Sequence, residues 1–584
     1  MPACNITNSD GGIRIEHSTF FENIIGLRIK ESANISIQQS AFFSPVLKSN
    51  GAIPIGLEII ESLNIIVEDN NIFRDSEYGI LLEGTFPLSS GVQVGKLGLR
   101  NNTFQKNLYS IYASGNTHPI GVIENNLFDN TSGTNWDGLF GTFLLGDNDI
   151  DFNNNTLNNV QAGLVSLSTG AHFNSNNCNE YKDSWAQSNY FIGDNRNTII
   201  LNNNFDSPGS NRDVALIDQA RIKNSQGSVN ASSNNCFTKG DVKEFDRSVD
   251  SDDFNYFYRS DGSDDDCMYP QNSNISSWVS TLTGSYCGTD GIGINLTGND
   301  DPNYNDFFAY SPLVNNDNEF LCKSCILEDI TTYINQVISE NGDNPLTNYI
   351  ENHGYNYTGE GEGLLDDLLN SVLTVSIENS DFGFAEQVLN NLQKWEWQVK
   401  LFGIYMKSKQ FNKASILLTN MEEREQFQTD FIAVQSINLQ RLNNQGITFE
   451  LSNAQKEILE SIVASHNRSS GYAWSLYHIL TGEKLIIDLP IVESRSHLEE
   501  NAENKKSSLR VFPNPSHTVI NISSETTNVE KVTLMSLNGE IIKVKSDLKI
   551  HGMLNVHDIP KGLYLLEILM SDNSVNFERV FIIN

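Results

Sequence analysis

The sequence predicts a mainly β protein, in which a solenoid of parallel strands is followed by a small α-helical domain and a C-terminal antiparallel β-sandwich. Three observations support this order. A short polar-aromatic phrase returns through the first 240 residues. Helical spacing of apolar residues replaces it between residues 326 and 490, and short alternating runs with turn signals close the chain.

The repeated phrase is two polar residues, usually Asn-Asn, followed two positions later by an aromatic residue or Leu. Asn disfavours helix interiors but tolerates the left-handed backbone of turns. We therefore expect each unit to be a strand, an Asn-rich turn with one inward aromatic, a second strand and a variable loop. The amides would form a hydrogen-bonded ladder and the rings would stack inside. Copies recur every 22 to 32 residues, at 17–20, 39–42, 70–73, 101–104, 125–128, 154–157, 176–178, 202–205 and 234–237.

The phrase, with apolar runs such as Ile65-Ile66-Val67 before it and Leu164-Val165-Ser166-Leu167 after it, resembles the right-handed parallel β-helix. This is the pectate-lyase-like architecture, and the resemblance covers about residues 1–240. The chain already reads as repeat sequence at Gly12-Ile13-Arg14-Ile15, and a basic region with an apolar core is missing from its start. This predicts a piece truncated at its N-terminus, or a wrongly assigned start.

The composition of the chain limits the classes of partner that it can bind. The formal net charge is −35 although only 19% of residues are charged, and nearly all of the excess acid precedes residue 507. Such a chain should repel nucleic acid and anionic membrane surfaces. A run of about 20 apolar residues is also missing, so we predict no transmembrane span. The acidity fits the solvated surface of an exported protein, with calcium or cationic partners as alternatives.

Residues 241–325 predict an acidic, irregular segment. The stretches 250–253 and 261–266 place carboxylates as a calcium ion would use them, but the second lacks the spacing and closing Glu of an EF-hand loop. A solvated loop is the alternative, so no cofactor is predicted beyond calcium as an option.

The cysteines in and after this segment predict disulfide bonds rather than a zinc site, because only the last two are close in sequence. Three pairings stay open for Cys267, Cys287, Cys322 and Cys325. Cys178 and Cys236 take the same position of the repeat two coils apart, which is beyond the reach of a disulfide between them. They are expected to be small core residues.

Residues 326–490 show apolar spacing of three and four and predict an α-helical domain, followed by a linker at 491–508. The similar segments that begin at Phe382 and Phe411 do not meet the tetratricopeptide consensus. The scattered His353, His466 and His478 are expected to be surface or satisfied core residues rather than ligands.

Residues 509–584 alternate apolar and polar residues in short runs, which predicts an antiparallel β-sandwich. Their order resembles the type A C-terminal sorting domain of the type IX secretion system of Bacteroidetes. The resemblance implies export across the outer membrane, cleavage by a sortase-like peptidase, and a secreted or outer-membrane-surface location on a Gram-negative cell. The motif residues are Pro513, Asn514, Pro515, Gly539, Pro560, Gly562, Tyr564 and Arg579.

The best acidic candidates in the solenoid are Asp147, Asp149 and Asp151, which alternation would point outward while Ile150 and Phe152 point inward. They would form a glycan-contacting or calcium-binding face, or plain surface, and no catalytic residue or metal ligand is assigned. The first functional hypothesis is a non-enzymatic adhesin-like binding or spacer protein that contacts extracellular polysaccharide or a host or cell-surface glycan. The alternative is a polysaccharide lyase or glycoside hydrolase.

Overall fold

The computed structural model describes residues 2–281, 369–487 and 510–582 with gaps, together with residues 323 and 327. The longest gaps within the first range are 44–53, 130–139 and 260–272. The chain divides into two compact units, Met1–Ser494 and Arg495–Asn584.

The first unit contains a solenoid of parallel strands, as the sequence predicts. Successive coils contribute strands to three parallel sheets, called A, B and C. Sheet A contains β1 (Pro2–Thr7), β4 (Ile25–Lys30), β7 (Ile55–Ile60), β10 (Tyr78–Glu83), β13 (Tyr109–Ser114), β16 (Phe140–Leu145), β19 (Ala162–Leu167), β22 (Gln187–Asp194), β25 (Arg212–Arg221) and β27 (Lys243–Arg247).

Sheets B and C form the other two walls of the coil. Sheet B contains β2 (Ile13–Glu16), β5 (Ala33–Gln38), β8 (Leu63–Glu68), β11 (Gly91–Val94), β14 (Gly121–Glu124), β17 (Ile150–Asn153), β20 (Ser175–Asn177) and β23 (Ile199–Leu201). Sheet C contains β3 (Thr19–Phe21), β6 (Ala41–Phe43), β9 (Ile72–Arg74), β12 (Asn102–Gln105), β15 (Asn126–Asp129), β18 (Thr156–Asn158), β21 (Glu180–Lys182) and β24 (Asn204–Asp206).

Parallel pairing continues beyond residue 240, where the sequence analysis places the end of the repeat. Strand β27 of sheet A pairs in parallel with β25. A further parallel sheet contains β26 (Ser225–Gln226), β28 (Asn255–Arg259) and β29 (Ser277–Thr281). Strands therefore occupy part of the segment that the sequence predicts to be irregular.

The predicted asparagine ladder is present and uses the second Asn of each phrase. From Asn71 to Asn203, each Nδ2 donates to the Oδ1 of the next ladder residue at 3.0–3.1 Å, and most also donate to a backbone carbonyl, as Asn102 does to Val67 at 2.9 Å. These side chains are buried, so the ladder satisfies amides that would otherwise destabilise the turn. Its members are Asn71, Asn102, Asn126, Asn155, Asn179, Asn203 and Asn235.

The predicted aromatic stack is also confirmed. Ring centroids from Phe20 to Phe128 lie 4.7–5.0 Å apart through Phe42, Phe73 and Phe104. This spacing equals that of adjacent parallel strands, so each coil contributes one layer to the solenoid core.

In one coil, the repeat phrase that the sequence indicates begins two residues before its position in the structure. In the coil at 176–178, the ladder residue is Asn179, and the inward aromatic is Tyr181, which pairs in register with Leu157 and Phe205. Cys178 takes the position before the ladder residue with a φ of 53°, close to the 54° of Asn125. That position requires left-handed backbone rather than an amide, so the Asn pair at 176–177 is misleading.

Six helices with complete bounds follow the solenoid among the described residues. Their termini carry local signals: Ser452 and Gln455 form a capping box before α5, and Gly482 ends α6 with a φ of 70°. None of the described helices is long and apolar enough to cross a membrane. The helices are α1 (Phe382–Leu389), α2 (Trp395–Lys407), α3 (Phe411–Asn420), α4 (Gln426–Asn443), α5 (Asn453–Ala464) and α6 (Ser470–Thr481).

The helices pack on the outer face of sheet A, and we call this contact the seam. One hydrophobic core contains outward strand residues such as Leu81 and Tyr112 together with helix residues such as Phe402 and Trp474. The rings of Tyr112 and Trp474 lie 4.9 Å apart. A second core fills the interior of the solenoid. Sheet A is therefore buried on both faces where the helices cover it.

The second unit consists of two antiparallel sheets that share one hydrophobic core. The smaller sheet contains β30 (Arg510–Phe512), β31 (Val519–Ser523) and β34 (His551–Asn555). The larger contains, in spatial order, β33 (Ile541–Lys549), β32 (Val529–Ser536), β35 (Gly562–Met570) and β36 (Val575–Ile582).

Breaking the ladder at its centre should destabilise the solenoid. We expect Asn126→Ala to lower the free energy of unfolding by about 3 kcal/mol, because the Asn102 amide loses its acceptor and two backbone carbonyls lose their donor. Urea unfolding of both proteins measures the difference. Asn158→Ala, at a half-buried amide on sheet C, is the control and should cost less than about 1 kcal/mol. Equal losses in the two variants would contradict the ladder's role.

A buried carboxyl group in β25 predicts a pH dependence of stability. Burial raises the pKa of Asp213 to about 7, although Thr238 donates to it from its backbone N and its Oγ1. The folded state therefore binds more protons than the unfolded state between about pH 4 and 7, so stability should fall as the pH rises through this window. We expect Asp213→Asn to remove most of a loss on the order of 4 kcal/mol between pH 4 and 8, measured by urea unfolding. The exposed Asp206→Asn should change the pH profile far less, because burial is the largest cause of the raised pKa of Asp213 and the Asp206 charge contributes least.

Candidate functional site

The three acidic candidates of the solenoid do not form one open face. Ile150 and Phe152 point inward as predicted, and Asp151 is half-buried on sheet B. Asp147 follows β16 of sheet A and lies at the seam. Asp149 lies outside the described residues. The structure thus separates two carboxylates that the sequence places side by side.

Asp147 is bound by a base from the helical region. Its Oδ1 lies 2.7 Å from Nε of Arg468, and its backbone N donates to the Arg468 carbonyl at 2.8 Å. Both side chains are nearly buried, at 13% and 9% exposure. Burial alone would lower the pKa of Arg468, but the carboxylates of Asp147, Asp194 and Glu396 raise it above its ordinary value. The Asp147 carboxylate therefore holds the helical region on the solenoid through this ion pair.

Other ion pairs cross the seam with the same polarity, acid on the solenoid and base on the helical region. Burial would raise the pKa of Glu61, but Arg441 in α4 lowers it below its usual value. Burial lowers the pKa of Lys484 to about 8 although Glu77 stands beside it. The pairs are Glu61–Arg441 at 2.7 Å, Glu83–His478 at 2.7 Å and Glu77–Lys484 at 3.0 Å.

Close backbone contact fixes α6 against the strand ends. A Cβ on Gly471 would lie 2.2 Å from the Leu145 carbonyl oxygen and 2.8 Å from the Gly115 nitrogen. Beside this contact, the hydroxyls of Ser114 and Ser475 lie 2.6 Å apart. Gly471 therefore allows α6 to lie directly against these strand ends, where a side chain would clash with the backbone.

The side chain of His478 completes a cluster that sequence reasoning misses. Glu58, Glu83 and His478 are buried, and one potential ligand atom from each lies within 4.8 Å of the others. Burial raises the pKa of Glu58 despite the Arg28 guanidinium that donates to it. Burial opposes protonation of His478, yet Glu83 and Glu58 raise its pKa above the ordinary value. The sequence expectation of a satisfied core histidine holds for its Nδ1, which contacts Glu83.

Sheet C presents a column of outward side chains, one from each coil, which we call the sheet C column. Phe21 is 56% exposed at one end, and Asn158 donates to Asp129 in its middle at 3.4 Å. Register places the members directly above one another, one strand spacing apart. The column is Phe21, Phe43, Arg74, Gln105, Asp129, Asn158, Lys182 and Asp206.

The cysteines of the repeat differ from expectation. Cys178 and Cys236 are half-buried and each is disulfide-bonded. The expectation of small core residues is wrong. Cys178 lies at a bend of its coil, and Cys236 forms a parallel bridge with Asn204 of β24. The predicted disulfide residues Cys267, Cys287, Cys322 and Cys325 lie outside the described part of the chain.

Part of the predicted sorting motif can be placed in the second unit. The hydroxyl of Tyr564 donates to the Pro560 carbonyl at 2.8 Å, and Gly562 begins β35. Arg579 in β36 pairs with Leu565. The strands on either side of Gly539 pair antiparallel. Pro513, Asn514, Pro515 and Gly539 themselves lie outside the described residues.

Comparison with known families agrees with this arrangement. Residues 510–584 match the family of secretion system C-terminal sorting domains. No curated protein matches the chain. The second unit is therefore a type IX secretion sorting domain. The protein is accordingly a secreted or cell-surface β-solenoid that interacts with the type IX secretion machinery.

The buried pair at Asp147 predicts a large effect of removing its base. We expect Arg468→Met to lower the free energy of unfolding by about 3 to 5 kcal/mol, because it removes the buried base that faces the carboxylates of Asp147, Asp194 and Glu396. Adding Asp147→Asn should restore part of the loss, as measured by denaturant unfolding. Arg424→Met is the matched control, since Arg424 and its partner Glu422 are 78% and 77% exposed, and it should cost less than about 1 kcal/mol. A loss no larger than the control would contradict a structural role for the pair.

Proposed function

We propose that this exported protein is a non-enzymatic, adhesin-like scaffold at the surface of a Gram-negative, Bacteroidetes-type cell. Its solenoid binds extracellular polysaccharide or a cell-surface glycan along sheet C. The observation that carries this proposal is the sheet C column, which sets aromatic, amide, carboxylate and cationic side chains in register along eight strands.

The chemistry of the column suits a sugar chain. A sugar hydroxyl both donates and accepts hydrogen bonds, so it can pair with the amide of Gln105 and with the carboxylate of Asp206. The less polar face of a sugar ring can pack on the exposed ring of Phe21. A polysaccharide is itself a linear repeat, so a row of side chains at regular spacing can contact several of its units at once.

The position of Asp147 favours binding over catalysis. A lyase or hydrolase needs carboxylates or bases that reach the substrate. Asp147 instead contacts Arg468 under the helical region, where its side chain is 13% exposed. The helices also cover the outer face of sheet A, which leaves the outer faces of sheets B and C, and sheet C carries the column with the exposed Phe21.

Affinity electrophoresis of the purified full chain against acidic and neutral polysaccharides tests the proposal. We expect retention by at least one polysaccharide, and about tenfold weaker binding by the double variant Gln105→Ala and Asn158→Ala, because each lost hydrogen bond contributes about 0.5–1.5 kcal/mol. Gln93→Ala is the control, since this residue has a similar, half-buried position on sheet B. Its binding should equal that of the wild type.

Three outcomes would contradict the proposal. Retention without any effect of the sheet C substitutions would place the binding surface elsewhere. New reducing or unsaturated ends in the polysaccharide would show an enzyme, of the lyase or hydrolase class. Failure to bind any polysaccharide would also overturn glycan binding and favour a spacer.

A further inference from the structure

The cluster at the seam brings together groups from three elements that are distant in sequence. Strand β7 supplies Glu58, β10 supplies Glu83, and α6 supplies His478. One nitrogen or oxygen of each lies within 4.8 Å of the other two. Atoms at such separations can approach a common cation with small side-chain movements.

With His478 neutral, the charges around the cluster leave one negative charge without a partner. The guanidinium of Arg28 donates to Glu58, and Lys484 pairs with Glu77 at 3.0 Å. These two bases face three buried or half-buried carboxylates, so one negative charge remains at Glu83 when His478 is neutral. A buried charge requires a partner, which here is either a proton on His478 or a metal ion.

Buried polar atoms without hydrogen-bond partners also favour a bound cation. Glu83 is fully buried, and its Oε2 has no hydrogen-bond partner among the described residues. The hydroxyl of Tyr112 is likewise buried without a partner in that part of the chain, and it is close enough to Glu83 for the carboxylate to raise its pKa after burial and Tyr109. A buried polar atom without a partner calls for an explanation, and a bound ion or water is one that fits two such atoms beside a cluster of ligand-type side chains.

We propose that Glu58, Glu83 and His478 bind one zinc ion that fastens α6 to sheet A. One imidazole nitrogen and two carboxylate oxygens are ligands that zinc accepts in four-coordinate sites, with water as the remaining ligand. An imidazole in the set disfavours calcium and magnesium, which take oxygen ligands. Because the ligands come from both sides of the seam, zinc would stabilise the docked arrangement of the helical region.

Metal content and thermal unfolding of the full chain test this site. Protein refolded with zinc and then dialysed should retain one equivalent more zinc than His478→Gln or Glu83→Gln treated in the same way. Zinc at a hundredfold excess over its dissociation constant should raise the unfolding midpoint of the wild type by about 5 °C. The midpoints of the two variants should not respond to zinc.

A matched control separates metal binding from general damage to the seam. Glu61→Gln weakens the pair with Arg441, which lies at the seam but outside the cluster. It should lower the unfolding midpoint and keep the zinc response. Cobalt in place of zinc should give weak visible absorption without thiolate charge transfer, which distinguishes this site from one built on cysteines.

Equal zinc content in the wild type and His478→Gln would overturn the proposal. It would leave a shared proton between His478 and Glu83 as the source of charge balance. A zinc response that survives in Glu83→Gln would overturn it equally, since that carboxylate is a required ligand. Neither result would bear on glycan binding, because the sheet C column is measured by polysaccharide retention.

Discussion

Exact stacking of one coil on the next is the constraint on which the rest of this structure depends. The ladder amides enforce it, because each Asn accepts from the coil before it and donates to the coil after it. A shift by one residue would leave buried amides unpaired and turn the inward side chains outward. Loops of different length can therefore be inserted between phrases without disturbing the register.

The same constraint explains why a glycine recurs beside the stack of aromatic rings. At Gly26, Gly56 and Gly79, a Cβ would lie 2.5–2.6 Å from the carbonyl oxygen of the next coil and 3.1–3.2 Å from an aromatic ring. Aromatic rings stacked at strand spacing thus require these positions in the sheet A strands to lack a side chain. Phe73 and Gly79 are six residues apart, as are Phe20 and Gly26.

The sequence predicts local features well because they depend on neighbouring coils. The ladder, the inward Phe and the alternation around Ile150 and Phe152 each follow from short patterns. The partner of Asp147 could not be predicted, because Arg468 lies 321 residues away and nothing local marks the contact. One signal was available: β7 and β10 are apolar on both faces, which is typical of parallel strands covered on both sides.

The placement of the helices follows from that apolar sheet and decides which face is left for a ligand. An exposed apolar row on sheet A would favour aggregation, and the helices remove it from solvent. Acid on the solenoid and base on the helical region then give this contact a defined orientation, since a reversed helix would leave Glu83 and Glu61 buried without bases. Sheet C has no such apolar outer row, so it can stay exposed. In the proposed function, the outer face of sheet C is the surface that contacts the glycan.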